Sequence, residues 1–275
     1  MNNTVAIQGV KGSFHYQVAQ DYYRNDILVD ECLSFDKLVD SLIDGQAHQA
    51  VMAIENSIAG SIIPNYALID KHQLHIIGEY YLNIHHNLLA LKGQQIKDIK
   101  EVCSHPMALL QCKDFFRKHP HIKLVEDADT AEVAQRIQKN QIKGIAAIAG
   151  NAAASLYELD ILAPSIQTIQ DNSTRFVIVQ TSNSVIPKKE ISKASLKFMT
   201  DHKRGSLATV LNVMSDCKLN LTKIQSLPVI ETPWKYAFFV DITFDDYEDY
   251  DKAKNILQLM TYDFKILGEY KNARS

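Results

Sequence analysis

The sequence predicts an α/β protein in two parts, a parallel-sheet part followed by a smaller antiparallel domain. Residues 50–54 and 144–148 are continuous apolar runs, which are typical of parallel strands covered on both faces. Residues 181–193 have the composition of a linker, with little to bury in a core. The strands and helices that follow have the order βαββαβ, which is the layout of a ferredoxin-like domain.

Composition narrows the class of protein and its partners. The 275 residues include 46% hydrophobic and 22% charged residues, which is ordinary for a globular chain of about two domains. A net charge of −3 gives no electrostatic reason to bind nucleic acid or an anionic membrane, so we expect neither partner. The N-terminus lacks a signal-peptide pattern, and no window approaches the ~18 apolar residues of a membrane span. Cys32, Cys103, Cys112 and Cys217 show no paired spacing, which predicts reduced thiols in a cytoplasmic protein.

The first α/β series begins with an apolar strand, residues 4–8, and a turn, residues 9–14, that contains two glycines. Backbone N–H groups in such a turn can hold an anion at the start of the next helix, and a plain tight turn explains the pattern equally well. Because the pattern is not G-x-G-x-x-G, no dinucleotide is indicated. The other predicted elements are a helix at 15–24, a strand at 27–33, a helix at 34–43 with Ser34 as N-cap, and strands at 50–54, 74–78 and 84–91.

Polar residues 55–61 follow directly after the buried strand at 50–54. In open α/β sheets, ligands bind just beyond the carboxyl ends of the strands, which makes Asn56, Ser57 and Ser61 candidate binding residues. An Asx turn that closes a strand-to-helix connection explains the same residues.

His85 and His86 are adjacent and suggest a metal site. Neighbouring residues of a strand point to opposite faces, and no third ligand lies at a familiar spacing. We therefore expect no metal here.

A second α/β series starts with a strand at 99–103 and a helix at 104–112. Ser104 is the predicted N-cap, and Gln111, seven residues later, is predicted on the same helix face. The remaining predicted elements are a strand at 122–125, a helix opened by a capping box from Asp129 to Glu132, a strand at 144–148 and a small-residue helix at 150–159.

Residues 171–176 (Asp-Asn-Ser-Thr-Arg-Phe) lead into an apolar strand, residues 177–179. Arg175 has a fork of donors suited to a carboxylate, and Thr174 can give a proton or a hydrogen bond beside it. A polar loop, with Asn172 and Ser173 as turn residues, is the alternative.

The C-terminal domain contains the remaining predicted elements. The strands are residues 195–199, 219–228, 234–244 and 264–270, and the helices are residues 205–214 and 249–260.

Five segments resemble, in order, the motifs of the prephenate dehydratases that carry a C-terminal ACT domain. They are residues 9–14 (Gly-Val-Lys-Gly-Ser-Phe, for Gly-Pro-Glu-Gly-Thr-Phe in the family), 54–61 (Ile-Glu-Asn-Ser-Ile-Ala-Gly-Ser, for Ile-Glu-Asn-Ser-x-x-Gly-Ser), 104–112 (Ser-His-Pro-Met-Ala-Leu-Leu-Gln-Cys, for Ser-His-Pro-Gln-Ala-x-x-Gln-Cys), 130–132 (Thr-Ala-Glu) and 172–176 (Asn-Ser-Thr-Arg-Phe, for Asn-x-Thr-Arg-Phe). The resemblance covers essentially the whole chain.

The resemblance implies a two-lobed catalytic domain of the periplasmic-binding-protein kind, residues 1–180, with a cleft between its lobes. Lobe one would comprise about 1–78 plus 166–180, and lobe two about 79–165. Residues 181–193 would be the linker and residues 194–275 the ACT domain. The chain begins at the first strand of lobe one, so we expect no fused chorismate mutase.

The implied reaction converts prephenate to phenylpyruvate with loss of water and carbon dioxide, and it needs no cofactor because aromatisation drives it. The resemblance makes Thr174 the donor to the leaving hydroxyl, but a threonine hydroxyl is a poor acid near neutral pH, which favours hydrogen-bond donation. Arg175 would bind a substrate carboxylate or brace the cleft wall. The implied catalytic residues are Thr174, Asn56, Ser104 and Gln111, and the implied substrate-binding residues are Arg175, Ser13, Phe14, Ser57 and Phe176.

Two positions in the first motif depart from the family in a way that matters for charge. Lys11 and His15 stand where the family usually has Glu and Ser, and we expect them to add positive character beside the cleft.

The C-terminal motifs imply an effector site for phenylalanine at a dimer interface. The implied effector residues are Gly205, Ser206, Leu207, Ala208, Asn220, Leu221, Gln225, Ser226 and Pro228. Gln225 and Leu227 replace the usual Glu and Arg, so a dimerisation module that has lost its ligand stays an alternative. The resemblance implies a homodimer or a dimer of dimers.

Two other functions fit the same motifs. One is a non-catalytic sensor that closes on a small carboxylate and signals through the C-terminal domain. The other is an arogenate dehydratase, whose substrate is closely related to prephenate.

Overall fold

The computed structural model describes residues 4–24, 27–183, 186–229, 232 and 234–274. Residues 184 and 185 of the predicted linker, and residues 230, 231, 233 and 275 of the predicted C-terminal domain, lie outside this described part. Within it, no helix has the length and apolar character needed to cross a membrane.

Strands and helices alternate along most of the chain. The strands are β1 (Thr4–Gln8), β2 (Leu28–Cys32), β3 (Gln49–Asn56), β4 (Gly60–Ser61), β5 (His75–Asn83), β6 (Asn87–Ala90), β7 (Glu101–Ser104), β8 (Lys123–Glu126), β9 (Ile145–Ala149), β10 (Asp160–Ala163), β11 (Ser173–Gln180), β12 (Lys193–Met199), β13 (Asn220–Pro228), β14 (Tyr236–Thr243) and β15 (Tyr262–Tyr270). The helices are α1 (Phe14–Tyr23), α2 (Phe35–Ile43), α3 (Ile63–Lys71), α4 (Pro106–Gln111), α5 (Lys113–Arg117), α6 (Thr130–Lys139), α7 (Asn151–Leu156), α8 (Ser206–Asp216) and α9 (Tyr247–Met260). Short 3₁₀ turns lie at Ile96–Asp98 and Lys188–Glu190.

The chain divides into two compact units. Unit one contains residues 1–60 and 81–176, and unit two contains residues 61–80 and 177–275. The three boundaries along the chain fall inside β4, β5 and β11.

Two sheets carry the α/β part, as the sequence predicts. The first has the strand order β2-β1-β3-β11-β5, with β4 beside β3, and β1 runs parallel to both β2 and β3. The second has the order β10-β6-β9-β7-β8, with β7 parallel to its two neighbours and β6 antiparallel to β9. Residues 50–54 in β3 are at most 4% exposed, which confirms a strand covered on both faces.

The third sheet, in unit two, is antiparallel with the order β13-β14-β12-β15. Together with α8 and α9 it gives the predicted ferredoxin-like arrangement. Its core lies between the sheet and these helices, where Leu196, Ile242 and Leu257 are fully buried. The segment that contains α3 belongs to the same unit, and Asp70 at its end pairs with Lys197 and Lys265 of this sheet.

Three helix starts test the predicted caps. Ser34 accepts a hydrogen bond from the Lys37 N–H, and Asp129 accepts from the N–H groups of Ala131 and Glu132, so both predicted N-caps are confirmed. The prediction of Ser104 as an N-cap is wrong. It is the last residue of β7, and the N-cap of α4 is His105, whose Nδ1 accepts from Met107 N–H.

The helix α3 has no predicted counterpart in the sequence. Its N-cap position, Ile62, has no side-chain hydrogen bond, and its apolar residues are not concentrated on one face. Pro64 in its first turn was the available signal, because proline is favoured there.

Candidate active site

Asn56 and Thr174 meet where β3 ends and β11 begins. The Ser57 N–H donates to the Ser173 carbonyl over 2.8 Å, and the Ser173 N–H donates to Ser57 Oγ over 2.9 Å. These two bonds tie the residue after Asn56 to the residue before Thr174. The predicted ligand position at the carboxyl end of a buried strand therefore contains groups from two distant parts of the chain.

The orientation of the Asn56 amide is fixed by the backbone. Its Oδ1 accepts hydrogen bonds from the N–H groups of Ile58 (3.0 Å) and Ala59 (2.9 Å), so the predicted Asx turn is present. Its Nδ2 must then face the other way, and it donates to Asn172 Oδ1 (2.6 Å) and Thr174 Oγ1 (2.9 Å). The turn and the polar cluster are therefore parts of one arrangement.

The chain of hydrogen bonds continues from Asn172 to Gln111 and His86, which lie near the second sheet. Asn172 Nδ2 donates to Gln111 Oε1 over 3.1 Å, and His86 Nε2 lies 2.9 Å from the same oxygen. Gln111 is the last residue of α4, and its carbonyl accepts from the Thr168 N–H. Asn172 is 2% exposed and His86 is 4% exposed, so the centre of the network is shielded from water.

The network leaves two hydrogen-bond donors unused. Thr174 Oγ1 accepts from Asn56, which leaves the hydroxyl proton for another acceptor. Gln111 Oε1 is held by two donors, and its Nε2 has no acceptor within the described part of the chain. The arrangement therefore suits a substrate oxygen that carries or develops negative charge.

The other two predicted catalytic residues, Ser104 and Gln111, were both predicted in lobe two, and of these two Gln111 reaches the network. Ser104 is fully buried, and its hydroxyl donates to the Ile148 carbonyl over 2.8 Å. It links β7 to β9, so its proton is already used inside the sheet. The prediction that Ser104 and Gln111 share one helix face is wrong, because Ser104 lies in the strand and α4 begins at Pro106.

Thr174 and Arg175 do not point the same way. Adjacent residues of a strand face opposite sides, so within β11 the Arg175 side chain is directed away from the Thr174 side. Arg175 is also only 4% exposed. Substrate binding by Arg175 and bracing of the wall by its guanidinium therefore both stay predictions.

Phe176 is also buried in the protein core. It is 1% exposed, and its ring packs edge-on against His15 with 5.0 Å between ring centroids. Its predicted contact with substrate is not supported by this position, because the ring is enclosed by protein.

The glycine-containing turn before α1 uses its N–H groups internally. Gly9 N–H donates to the Cys32 carbonyl, and Lys11 N–H donates to a Glu31 carboxylate oxygen. Gly9 has a φ of 93°, and a side-chain carbon there would lie 2.9 Å from Asp129 Oδ2. A carboxylate therefore already faces the turn, which favours the tight-turn interpretation over the anion cradle.

Ser13 and Phe14, which follow this turn, differ in their contacts. Ser13 is 4% exposed and its Oγ caps α1 by accepting from Tyr16 N–H. Phe14 is half-buried, and its ring lies edge-on to His86 with 5.7 Å between centroids. Phe14 is thus the aromatic side chain that contacts the hydrogen-bond network.

His15 does not add positive character, contrary to the sequence-based expectation. Burial lowers its pKa from 6.5 to about 3, so the imidazole is neutral near pH 7. Its ring packs against Phe35 and Phe176, and its buried Nε2 has no hydrogen-bond partner. Of the two substitutions, only Lys11 is exposed.

Asn172 and His86 are the site residues that the sequence analysis missed. In the sequence, Asn172 lies in a matched motif but suits a turn, and His86 suggests only a metal ligand. Both histidines lie in the connection between β5 and β6 and not in a strand, contrary to the predicted strand at 84–91. His85 is exposed and lies near Gln167, whereas His86 is buried. No group of three or more metal-ligating side chains occurs among the residues that the structure describes.

The predicted effector residues lie along one helix start and one strand of unit two. Gly205 is the N-cap of α8 with a φ of 81°, and Ser206, Leu207 and Ala208 form the first turn. The remaining five (Asn220, Leu221, Gln225, Ser226 and Pro228) are all in β13, which is an edge strand.

Comparison with known proteins gives one family. The family model for prephenate dehydratase matches residues 5–184. Arogenate dehydratase 2 of Petunia hybrida is 35% identical over 284 residues, which cover 97% of this chain and 71% of that protein. The bifunctional chorismate mutase/prephenate dehydratase of Buchnera aphidicola subsp. Acyrthosiphon pisum is 31% identical over 274 residues, covering 97% of this chain and 70% of that protein.

Solved structures share the fold. Prephenate dehydratase from Arthrobacter aurescens in complex with L-Phe has a TM-score of 0.88 and 24% identity, covering 98% of this chain and 90% of that chain. GqqA, described as a novel type of quorum quenching acylase, has a TM-score of 0.88 and 25% identity, covering 98% of both chains. From the match of the family model and the extent of the curated relatives, this chain belongs to the prephenate dehydratase family, the enzymes of phenylalanine biosynthesis that dehydrate and decarboxylate prephenate.

Proposed function

We propose that Thr174 and Gln111 are the two donors that stabilise the transition state of prephenate dehydration. The observation that carries this proposal is the polarity of the hydrogen-bond network. Asn56 donates to Thr174 Oγ1, and both Asn172 and His86 meet Gln111 Oε1, so a hydroxyl proton and an amide NH₂ are left to face a ligand. A site of donors that excludes bulk water stabilises negative charge that develops on a substrate oxygen.

The reaction breaks two bonds of one ring. The bond between the ring and its carboxylate breaks, carbon dioxide leaves, and the electron pair moves into the ring as the bond to the hydroxyl oxygen breaks on the opposite carbon. The hydroxide that leaves takes up a proton from the solvent to become water, and the ring becomes aromatic. Thr174 donates a hydrogen bond to the departing oxygen, because a threonine hydroxyl is too weak an acid to transfer its proton outright near neutral pH.

Gln111 provides the second contact. Its NH₂ group has two protons, which suit either the leaving oxygen or a carboxylate oxygen of the substrate. Asn56 and Asn172 act through these two side chains by fixing which of their atoms face the ligand. Phe14, which is half-buried beside the network, provides an apolar contact for the substrate ring.

Turnover of prephenate by the purified chain tests the reaction directly. Phenylpyruvate should appear with one equivalent of carbon dioxide. A chain that binds prephenate without forming phenylpyruvate would support the sensor alternative instead.

Arogenate dehydration is the second candidate, and it is favoured by the 35% identity to arogenate dehydratase 2. Arogenate should be assayed in parallel, with formation of phenylalanine as the readout. The ratio of kcat/KM for the two compounds assigns the substrate.

We also propose that the βαββαβ part is an ACT domain that binds phenylalanine between two copies of this chain. A complex of a similar fold with L-Phe supports the ligand. Eight residue steps along β13 separate Asn220 from Pro228, which is about 26 Å. The predicted effector residues of one chain therefore lie at two ends of the domain, and a second copy is needed to complete a pocket for one amino acid.

Two measurements test the effector proposal. Phenylalanine should lower activity, and prephenate should weaken phenylalanine binding by the same factor, which corresponds to a coupling of about 1–3 kcal/mol. Light scattering should show a dimer or tetramer. A monomer that binds phenylalanine tightly would contradict the shared pocket.

A further inference from the structure

His86 lies at the far end of a hydrogen-bond chain whose direction the backbone dictates. The chain starts at the N–H groups of Ile58 and Ala59, which can only donate, so Asn56 Oδ1 must accept. Asn56 Nδ2 then donates to Asn172 Oδ1, and the Asn172 amide is oriented in turn. Asn172 Nδ2 donates to Gln111 Oε1, which leaves that oxygen as an acceptor for His86 as well.

This direction determines the tautomer of His86. Because Gln111 Oε1 accepts, the imidazole Nε2 that lies 2.9 Å away must carry the proton. The other nitrogen, Nδ1, is then the unprotonated one, and it is buried without a hydrogen-bond partner in the described part of the chain. Burial lowers the pKa of His86 although the bond to Gln111 opposes this effect, so a neutral ring is the form that the site favours.

The position of the His86 ring is held from three sides. Its backbone N–H donates to Gln167 Oε1 over 3.0 Å, and its carbonyl accepts from the Ile166 N–H over 2.8 Å. The Phe14 ring packs edge-on against the imidazole. The ring is 4% exposed, which makes direct contact with bulk solvent small.

We propose that His86 is a positioning residue that presents the NH₂ group of Gln111 to the substrate through its Nε2–H. This inference rests on the proposed function, because it assigns Gln111 as a donor to substrate. With two donors on Oε1, a flip of the Gln111 amide would place its NH₂ against two other N–H groups. If the His86 donor is removed, only Asn172 donates to Oε1, and the flip is far less costly. A flipped Gln111 would present an oxygen to an anionic substrate.

Three variants of the full chain test the proposal. His86→Gln keeps a donor near the Nε2 position, whereas His86→Met fills a similar volume without one. His85→Met is the matched control at the exposed neighbour. We expect His86→Met to lower kcat/KM for prephenate by about ten-fold, the scale of one net hydrogen bond. His86→Gln should stay within about three-fold of the wild type, as His85→Met should.

Stability separates positioning from a structural role. His86→Met removes the Nε2–H bond to Gln111 but also removes the buried Nδ1, which has no partner, so the urea midpoint of unfolding should change little even though activity falls. Equal activity of His86→Met and the wild type would overturn the proposal. An equal loss in both His86 variants would overturn it too, because only the donor distinguishes them.

A spectroscopic measurement decides the tautomer without a variant that must be active. In ¹⁵N-histidine-labelled protein, the resonances absent from the His86→Gln spectrum belong to His86. Their shifts should show a protonated Nε2 and an unprotonated Nδ1. A protonated Nδ1 would overturn the proposal. This test does not depend on whether His86→Met folds. Absence of turnover in the wild type would instead overturn the proposed function and leave the tautomer result standing.

Discussion

Asn56 donates a hydrogen bond through Nδ2 to Thr174 Oγ1 over 2.9 Å, although 118 residues separate the two in the chain. A hydroxyl that accepts at its oxygen is polarised toward donation of its own proton. The bond therefore determines both where the Thr174 proton can point and how strongly it can donate. Catalysis by this site depends on that direction more than on the acidity of threonine.

Replacement of Thr174 by valine should reduce kcat by roughly 10²–10³, the effect of losing one positioned donor. Valine keeps the β-branched shape, and Thr174 is only 8% exposed, so the backbone of β11 should not change. Steady-state kinetics with prephenate give the measurement. Thr174→Ser restores the hydroxyl and should recover most of the rate. An unchanged kcat in a folded Thr174→Val variant would remove Thr174 from the mechanism.

Asn56→Asp should be as damaging as the loss of the Thr174 hydroxyl, with a reduction of kcat of roughly 10²–10³. A carboxylate only accepts hydrogen bonds, so the Thr174 proton would turn toward residue 56 and away from the substrate. The acceptors for Ile58 and Ala59 N–H would remain, which preserves the turn.

Asn140→Asp makes the same chemical change at an exposed position in unit one and serves as its control. The control should keep wild-type kinetics. If Asn56→Asp also kept them, the direction of the Asn56–Thr174 bond would be irrelevant to the rate.

The sequence predicted the sheets well because their signals are local. The apolar run at residues 50–54 requires burial on both faces, and the structure provides it in β3. Ser34 and Asp129 cap their helices as predicted, because the cap depends on a side chain and an N–H group two or three residues away. The short helix α3 lacks such a cap and an apolar stripe, and it was not identified.

The site was harder to predict because its contacts are distant in the chain. Ser104 lies in a matched motif and has a hydroxyl that could act in catalysis. In the structure, however, that hydroxyl donates its hydrogen bond to the Ile148 carbonyl. Thr174 and Arg175 are adjacent in sequence and face opposite ways once β11 forms. The role of Asn172 requires knowledge of both Asn56 and Gln111, which lie 116 and 61 residues away.

Acid should destabilise the protein partly through His15. In the unfolded chain a histidine binds a proton below about pH 6.5, whereas burial keeps the folded His15 neutral down to a pKa of about 3. Unfolding therefore takes up a proton between these values, and stability falls as the pH falls, by up to about 1.4 kcal/mol per pH unit from this group.

His15→Leu removes that proton uptake. Urea denaturation from pH 6.5 to pH 4 should show a shallower loss of stability in the variant than in the wild type. His121→Gln, at an exposed histidine, should keep the wild-type slope. Identical slopes in His15→Leu and the wild type would show that the buried imidazole gains its proton in the folded state.

The ion pair of Lys193 and Glu79 should be essential for the stability of unit two. Lys193 Nζ donates to both carboxylate oxygens, at 3.0 and 2.8 Å, and the two side chains are 3% and 0% exposed. Lys193→Met removes a buried cation that donates to both oxygens of this carboxylate, and we expect the free energy of unfolding to fall by about 3–5 kcal/mol. The Ala273 N–H also donates to Glu79.

Two comparisons show whether burial is the cause. In the double variant Glu79→Gln with Lys193→Met, both charges are gone and much of the stability should return, because a neutral amide costs less to bury than a carboxylate that has lost this cation. Lys203→Met breaks an exposed pair with Asp201 and should cause no measurable loss. A Lys193→Met variant as stable as Lys203→Met would mean that water reaches Glu79 and that the carboxylate does not need its lysine.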